Sequence, residues 1–252
     1  MHASERFSNR VADYVQYRPR YPAALIPLLA ARCGLAPGQA VADVGSGTGF
    51  LAELFLHNGN MVYAVEPNGP MRAAAEHHLG GLTGFYSVDA TAECSGLPDT
   101  SVDFVAAGQA FHWFDADAAR AEIRRILRPG GWVALLWNER RADAAGFLAA
   151  YDALLLEHGT DYAAVDHRQI DEAKIAAFFA GGPFECARLD NAQTLDRAGL
   201  AGRVRSCSYV PAAGEPGFAP MMAAVDALFD QFAQGGHVTM AYDTTVYMGQ
   251  FR

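Results

Sequence analysis

Val41-Ala42-Asp43-Val44-Gly45-Ser46-Gly47-Thr48-Gly49-Phe50 is the stretch on which the fold of this chain turns. It opens as an apolar run and breaks into three glycines spaced two apart. From Phe50 to His57 it continues at the spacing of a helix. A second apolar run, Val62 to Val65, then ends on Glu66 and Pro67. A strand, a glycine turn, a helix and a second strand tipped by a carboxylate are the parts of a nucleoside pocket. The glycine spacing narrows the choice of nucleoside. Phe50 stands where a dinucleotide-binding loop carries its third glycine, and that loop exists to bring a pyrophosphate onto the helix start. A bulky ring there disfavours pyrophosphate and counts against a nicotinamide dehydrogenase.

Composition sets the outer bounds. The chain has 252 residues, 51% of them hydrophobic, enough for one large α/β domain or a domain with a cap. Its formal net charge is −9, which argues against a nucleic-acid partner held through phosphates. No apolar run reaches the ~18 residues of a membrane span, and Met1 to Arg10 has no apolar signal-peptide core. A cytoplasmic protein with a small-molecule partner is the expectation. Cys33, Cys94, Cys186 and Cys207 form no C-x-x-C pair and no zinc spacing. They read as buried, reduced thiols, and no metal is expected. The oligomeric state, monomer or homodimer, stays open.

The rest of the chain extends the first unit. Phe7, Val11, Tyr14 and Val15 fall at helical spacing, and Tyr17-Arg18-Pro19-Arg20-Tyr21-Pro22 breaks that helix. Ala24 to Cys33 reads as a helix closed by Gly34. Strands are predicted at 40–44, 61–65, 85–88, 102–107 and 132–137. Helices lie between them, the last capped by Asp115. Residues 142–182 read as mainly helical, 184–195 as a strand, 197–205 and 217–234 as helices, and 237–251 as a last strand. The alternation favours a parallel sheet with helices on both faces, whose ligand edge is the carboxyl ends of the strands.

Three segments together carry a family resemblance. These are the D-x-G-x-G-x-G turn with Asp43 leading it, the Gln109-Ala110-Phe111-His112-Trp113-Phe114 stretch after the fourth strand, and the Tyr17-to-Pro22 segment ahead of the first. They resemble the class I S-adenosylmethionine-dependent methyltransferases and are similar to the small-molecule group around trans-aconitate methyltransferase. The resemblance implies an α/β Rossmann-like sheet of seven strands, mostly parallel with the last antiparallel. It implies an N-terminal helical lid over 1–38, a cofactor-binding core over 39–140, and helical cap insertions with the last strands over 141–252, in one compact unit. It implies S-adenosylmethionine as cofactor and S-adenosylhomocysteine as product.

On that resemblance each site residue takes an expected role. Asp43, Gly45, Ser46, Gly47, Gly49, Phe50, Pro67 and Met71 would surround the cofactor, with Glu66 accepting from the ribose hydroxyls. Asp89 and Ala90 would face the adenine, and Gln109 and Ala110 the methionine end. Tyr14 and Arg18 would belong to the lid, the arginine pairing with the cofactor's carboxylate and a tyrosine ring facing the sulfonium. His112 is either a general base or a structural histidine among aromatics. Asn138, Tyr17 and Ser206 complete the expected catalytic set. Tyr21, Trp113, Arg140, Arg205 and Tyr209 are the expected acceptor contacts, the arginines suiting an acceptor carboxylate. Two other readings remain open at this point. One is an intramolecular cyclase that consumes S-adenosylmethionine and releases methylthioadenosine. The other is a protein that binds S-adenosylmethionine without turnover.

Overall fold

The computed structural model describes residues 10–141, 146–160, 162 and 172–251. Its centre is β1 (Ala40–Val44), every residue of which is buried. β1 pairs in parallel with β2 (Met61–Val65) on one side and with β4 (Val102–Gly108) on the other. β3 (Phe85–Val88) continues beyond β2, and β5 (Leu127–Arg140) beyond β4, again in parallel. β7 (Val238–Gly249) then pairs antiparallel with both β5 and β6 (Phe184–Leu195). The seven-stranded order is β3-β2-β1-β4-β5-β7-β6. Strand order reverses beside β1, so a crevice opens at the carboxyl ends of β1 and β4.

The central strands are near-continuous apolar runs because helices cover both of their faces. On one face Val44, Val105, Ile123, Ile126 and Trp137 form a cluster with Phe178. On the other, Leu25, Leu29, Leu51, Phe55, Phe104 and Met248 form a second. The described helices are α1 (Val11–Tyr17), α2 (Leu25–Cys33), α3 (Phe50–His57), α4 (Gly69–Leu79), α5 (Ala116–Ile126), α6 (Phe147–His158) and α7 (Glu172–Phe179), of which α2, α3, α4, α5 and α7 supply these clusters. α8 (Arg197–Arg205) and α9 (Phe218–Phe232) complete them. α6, α8 and α9 build a third core with the near ends of β6 and β7, around Tyr151, Leu200, Met221, Val225 and Tyr242.

Local chemistry sets the helix starts. The Asn68 side chain accepts from Met71 N at 3.0 Å, and Pro70 stands in the first turn of α4. Asp115 accepts from the N–H groups of Asp117 and Ala118, as its expected capping role requires. Asp196 does the same for Gly199 at 2.7 Å.

Some sequence expectations shift. β5 begins at Leu127, ahead of the expected Trp132, because Leu127 pairs with Val102 across an irregularity that absorbs Pro129 to Gly131. Cys94 and Cys186 are exposed, contrary to the expectation of buried thiols, while Cys33 and Cys207 are buried. Phe7, residues 142–145 and much of the expected 142–182 helical stretch lie outside the described residues. No helix among the described residues is long and apolar enough to cross a membrane. No group of three or more metal-ligating side chains occurs among them.

Candidate active site

The glycine turn occupies the reversal point. Gly45 adopts φ 69°, and a Cβ there would stand 2.6 Å from the Ala110 side chain. The turn is therefore drawn tight against the residues following β4. Gly49 also has positive φ and abuts Leu79, which places it as the N-cap of α3 and away from the cavity.

Two buried carboxylates flank this turn. Glu66, 8% exposed, accepts from Gly47 N and Asn68 N, both at 2.8 Å. Burial raises its pKa against the pull of those two N–H groups. Asp43 is 1% exposed, and neither of its oxygens has a hydrogen-bond partner. Desolvation, with the Glu66 charge adding to it, brings the Asp43 carboxyl up to about 7 against the pull of the Ala52 N–H. A buried carboxylate with so little donor contact is costly, and a ligand group that donates to it would relieve that cost.

A cavity of about 350 Å³ runs from the turn to the cap. That size suits a small ligand. Of the expected site residues, Tyr14, Arg18, Tyr21, Asp43, Gly45, Ser46, Gly47, Phe50, Glu66, Pro67 and Met71 line it. So do Gln109, Ala110, His112, Trp113, Asn138, Arg140 and Tyr209. Gln109 sits at the end of β4 with φ 55°, a strained conformation for a residue with a side chain. Its Nε2 donates to Asn138 O at 3.2 Å, and its Oε1 is buried without a partner. The Asn138 side chain accepts from Thr244 Oγ1 at 2.6 Å and from Asn191 Nδ2 at 3.1 Å, which fixes its rotamer. His112 is exposed at the rim, with its ring 4.7 Å from that of Trp113.

Other expected site residues are used elsewhere. The Asp89 carboxylate is exposed and paired with Arg72 at 2.8 Å, and neither it nor Ala90 lines the cavity. Tyr17 lies flat against Gly202, leaving no room for a Cβ there, and its carbonyl accepts from Gln193 Nε2 at 2.8 Å. Ser206 closes the C-terminus of α8, where its hydroxyl donates to Arg203 O at 2.7 Å. Arg205 makes a two-armed pair with Asp13, both contacts at 3.0 Å. Tyr17, Ser206 and Arg205 are thus fastenings between α1 and α8, and the cavity lining excludes them.

That fastening is extensive. Arg10 donates to the carbonyls of Arg205 (2.9 Å), Cys207 (2.7 Å) and Val210 (2.7 Å). Arg18 donates to Ser206 O at 2.8 Å, and Asn191 to Arg20 O at 2.8 Å. The segment before α2 is therefore bound along its length to the cap and to β6.

The cap end of the cavity was read only in part from the sequence. Arg140 donates to Asp152 (2.8 Å) and to the Tyr162 hydroxyl (2.6 Å), and its guanidinium lies 5.2 Å from the Tyr151 ring centre. Arg203 joins it, 3% exposed, with Nε 3.4 Å from the Tyr242 hydroxyl and Nη1 3.0 Å from Cys207 Sγ. Burial pushes the Cys207 thiol up, but the nearby guanidiniums of Arg203 and Arg18 outweigh it and bring the thiol down to about 6. Thr91, Glu93 and Tyr242 also line the cavity and were not read from the sequence. Tyr242 had no local signal, since it reaches the site through the pairing of β7 alone.

Comparisons with known proteins agree with this geometry. A family model described as a methyltransferase domain matches residues 42–135. An uncharacterized methyltransferase of Mycobacterium tuberculosis is 38% identical over 138 residues, covering 53% of this chain and 52% of that protein. One from Schizosaccharomyces pombe is 33% identical over 138 residues, covering 53% of each. The chain thus spans about half the length of the curated relatives it matches. Among solved structures, one from Anaeromyxobacter dehalogenans, provisionally assigned as a type II methyltransferase, superposes with a TM-score of 0.64 at 26% identity. It covers 94% of this chain and 98% of that one. The fold is shared with phosphoethanolamine N-methyltransferase 2 of Haemonchus contortus, solved with S-adenosylhomocysteine (TM-score 0.57, 13% identity, 98% of this chain and 58% of that one). Through its glycine turn, its sheet order and this matched domain, the chain is similar to the class I S-adenosylmethionine-dependent methyltransferases.

Proposed function

We propose that this chain transfers a methyl group from S-adenosylmethionine to a small-molecule acceptor held under the cap. The observation that supports it most directly is the pair of buried carboxylates at the turn. Asp43 makes no well-formed hydrogen bond and Glu66 keeps lone pairs beyond its two backbone contacts. A ligand that presents hydroxyls and positive charge, and no phosphate, satisfies both.

The lining residues fit that cofactor. Glu66 would take the ribose hydroxyls, and Asp43 and the unpartnered Gln109 Oε1 would answer the charged amino end. Arg18, whose Nε is buried without a partner, would take the carboxylate. Phe50, Met71 and Tyr14 supply apolar and aromatic surface. Asp89 would have to leave Arg72 to reach the adenine, whereas Thr91 already lines the cavity. We assign residues 1–38 as lid, 39–140 as cofactor core and 141–252 as cap with the last strands.

When bound, the cofactor supplies an electrophilic methyl group on a sulfonium, open to in-line displacement. The protein's part is to hold an acceptor in line, to exclude water and to keep aromatic faces near the cationic centre. Tyr14, Tyr21 and Trp113 provide such faces. Asn138, locked by Thr244 and Asn191, positions the floor. His112, exposed at the rim, would accept a proton from an acceptor that needs to lose one. The cyclase reading is not favoured, since the named relatives are methyltransferases.

The test is mass spectrometry of the purified protein incubated with S-adenosylmethionine, first alone and then with pooled metabolites. Retention of the cofactor alone, followed by S-adenosylhomocysteine with a mass gain of one methyl group in an acceptor, supports the proposal. Methylthioadenosine accumulating without acceptor would replace it with the cyclase. Retention without turnover in every pool would leave a binding protein.

A further inference from the structure

The charge pattern along the cavity narrows the acceptor. Its acids, Asp43, Glu66 and Glu93, stand at the turn end. Its cations, Arg18, Arg140 and Arg203, stand at the cap end. Arginines are almost never buried without a counter-charge. Yet no carboxylate pairs with Arg203 among the described residues, and Arg140 shares its one carboxylate, Asp152, with the Tyr162 hydroxyl. Arg140 Nε is buried and unpartnered.

The balance can be followed group by group. Arg10, Arg18, Arg140 and Arg203 converge on the segment from Arg203 to Val210, with Asp152, Glu215 and the Cys207 thiolate as their nearby anions. Asp13 is already committed to Arg205. Tyr151 and Tyr209 stay neutral, because burial holds their pKa values up. Arg203, 3% exposed, has no carboxylate partner among the described residues. The cofactor's carboxylate, on the reading above, answers Arg18, which leaves Arg203 and the unpartnered Arg140 Nε to the acceptor.

We infer that Arg203 and Arg140, with the Tyr242 hydroxyl beside them, form an anion subsite, and that the acceptor is an organic acid docked there through a carboxylate. This rests on the methyltransferase reading. Two buried guanidiniums beside a hydroxyl favour an anionic partner, which a carboxylate supplies. A guanidinium fork also suits the planar two-oxygen group. The anchored carboxylate sets the acceptor's orientation relative to the turn.

The experiment is calorimetry on the whole protein, free and loaded with S-adenosylhomocysteine. The probes are benzoate, phenylacetate and hexanoate, each set against its own primary amide, with inorganic phosphate as a further arm. We expect at least one acid to bind, its amide to bind at least tenfold more weakly, and Arg203→Lys and Tyr242→Phe to weaken the acid while changing the S-adenosylhomocysteine Kd less than twofold. The acid–amide comparison needs no variant, so a misfolded substitution does not decide it. Acid and amide binding alike, no acid binding, or phosphate binding better than every acid would overturn the inference. Failure of S-adenosylhomocysteine to bind would instead strike the cofactor reading, while titration of the free protein with the acids would still decide the subsite.

Discussion

The ring of Tyr14 stacks on that of Phe50, with centroids 6.0 Å apart and planes 28° from parallel. Each ring also carries a guanidinium, Arg18 at 5.0 Å from Tyr14 and Arg20 at 4.1 Å from Phe50. Phe50 is the residue that spoils a pyrophosphate loop, and here it is the seat on which the N-terminal segment rests. Replacing Tyr14 with Ala removes one aromatic face and about 1 kcal/mol of stacking. We expect S-adenosylmethionine to bind roughly fivefold to tenfold more weakly by calorimetry, with the melting temperature little changed. An unaltered Kd would show that the lid does not touch the cofactor.

Asp43 links cofactor binding to acidity. Its carboxyl is raised from the ordinary 3.8 to about 7 by desolvation. The unfolded chain gives up this proton near 3.8 and the folded chain near 7, so native stability falls as pH rises through that interval. Asp43→Asn should therefore stabilise the ligand-free protein, and more at pH 8 than at pH 4. The same substitution should weaken S-adenosylmethionine by at least tenfold at pH 8. In the wild type, cofactor affinity should decline as pH drops below about 7. Parallel melting curves for the two proteins across pH 4–8 would contradict the assignment.

Gly202 and Tyr17 make a contact with no slack. Gly202→Ala drives a methyl group into the Tyr17 ring, and overpacking of this kind costs about 1–3 kcal/mol. Denaturant melts should show that loss. Adding Tyr17→Ala should recover part of it, because the clash then disappears. If the double variant is as unstable as the sum of the two single ones, the contact is not coupled as described.

Cys207 reports on the arginine cluster. Its thiol is brought from 9.0 down to about 6 by neighbouring guanidiniums that overcome burial. A depressed acid stabilises the fold once ionised, so this contribution is present above pH 9 and is lost as pH falls through about 6. Cys207→Ser should lie further below the wild type at pH 9 than at pH 6. Thiolate absorbance at 240 nm, followed from pH 5 to 9, gives an independent reading. A midpoint near 9 would show the cluster to be less positive than drawn.

The legible part of the protein was the part whose information is local. Glycine spacing, the apolar run ending on Glu66, and the caps Asn68, Asp115 and Asp196 are each written within a few residues, and so were the strands they bound. The Arg18-to-Ser206 and Arg10-to-Val210 contacts are not, because their acceptors are backbone carbonyls that every residue type presents. Asp89 could be assigned to a strand end, but its pairing with Arg72 depends on where α4 lies over β3. Arg205 and Ser206 read as site residues because they belong, with Arg203, Ser208 and Tyr209, to a polar group after the sixth strand. One turn of helix separates a side chain that enters the cavity from neighbours that face α1. Tyr242 became visible once β7 was paired antiparallel with β5, bringing it opposite Arg140.

The way the N-terminal segment is fastened has a consequence for how such a scaffold could be re-purposed. Arg10 and Arg18 grip the 205–210 loop by its main chain, so most exchanges of side chain in that loop leave the clasp intact. The chamber wall can be redecorated residue by residue while its door stays on the same hinge pins. A combinatorial library over Ser208, Tyr209 and Tyr242 would thus vary the cavity lining while the N-terminal segment keeps its backbone anchorage.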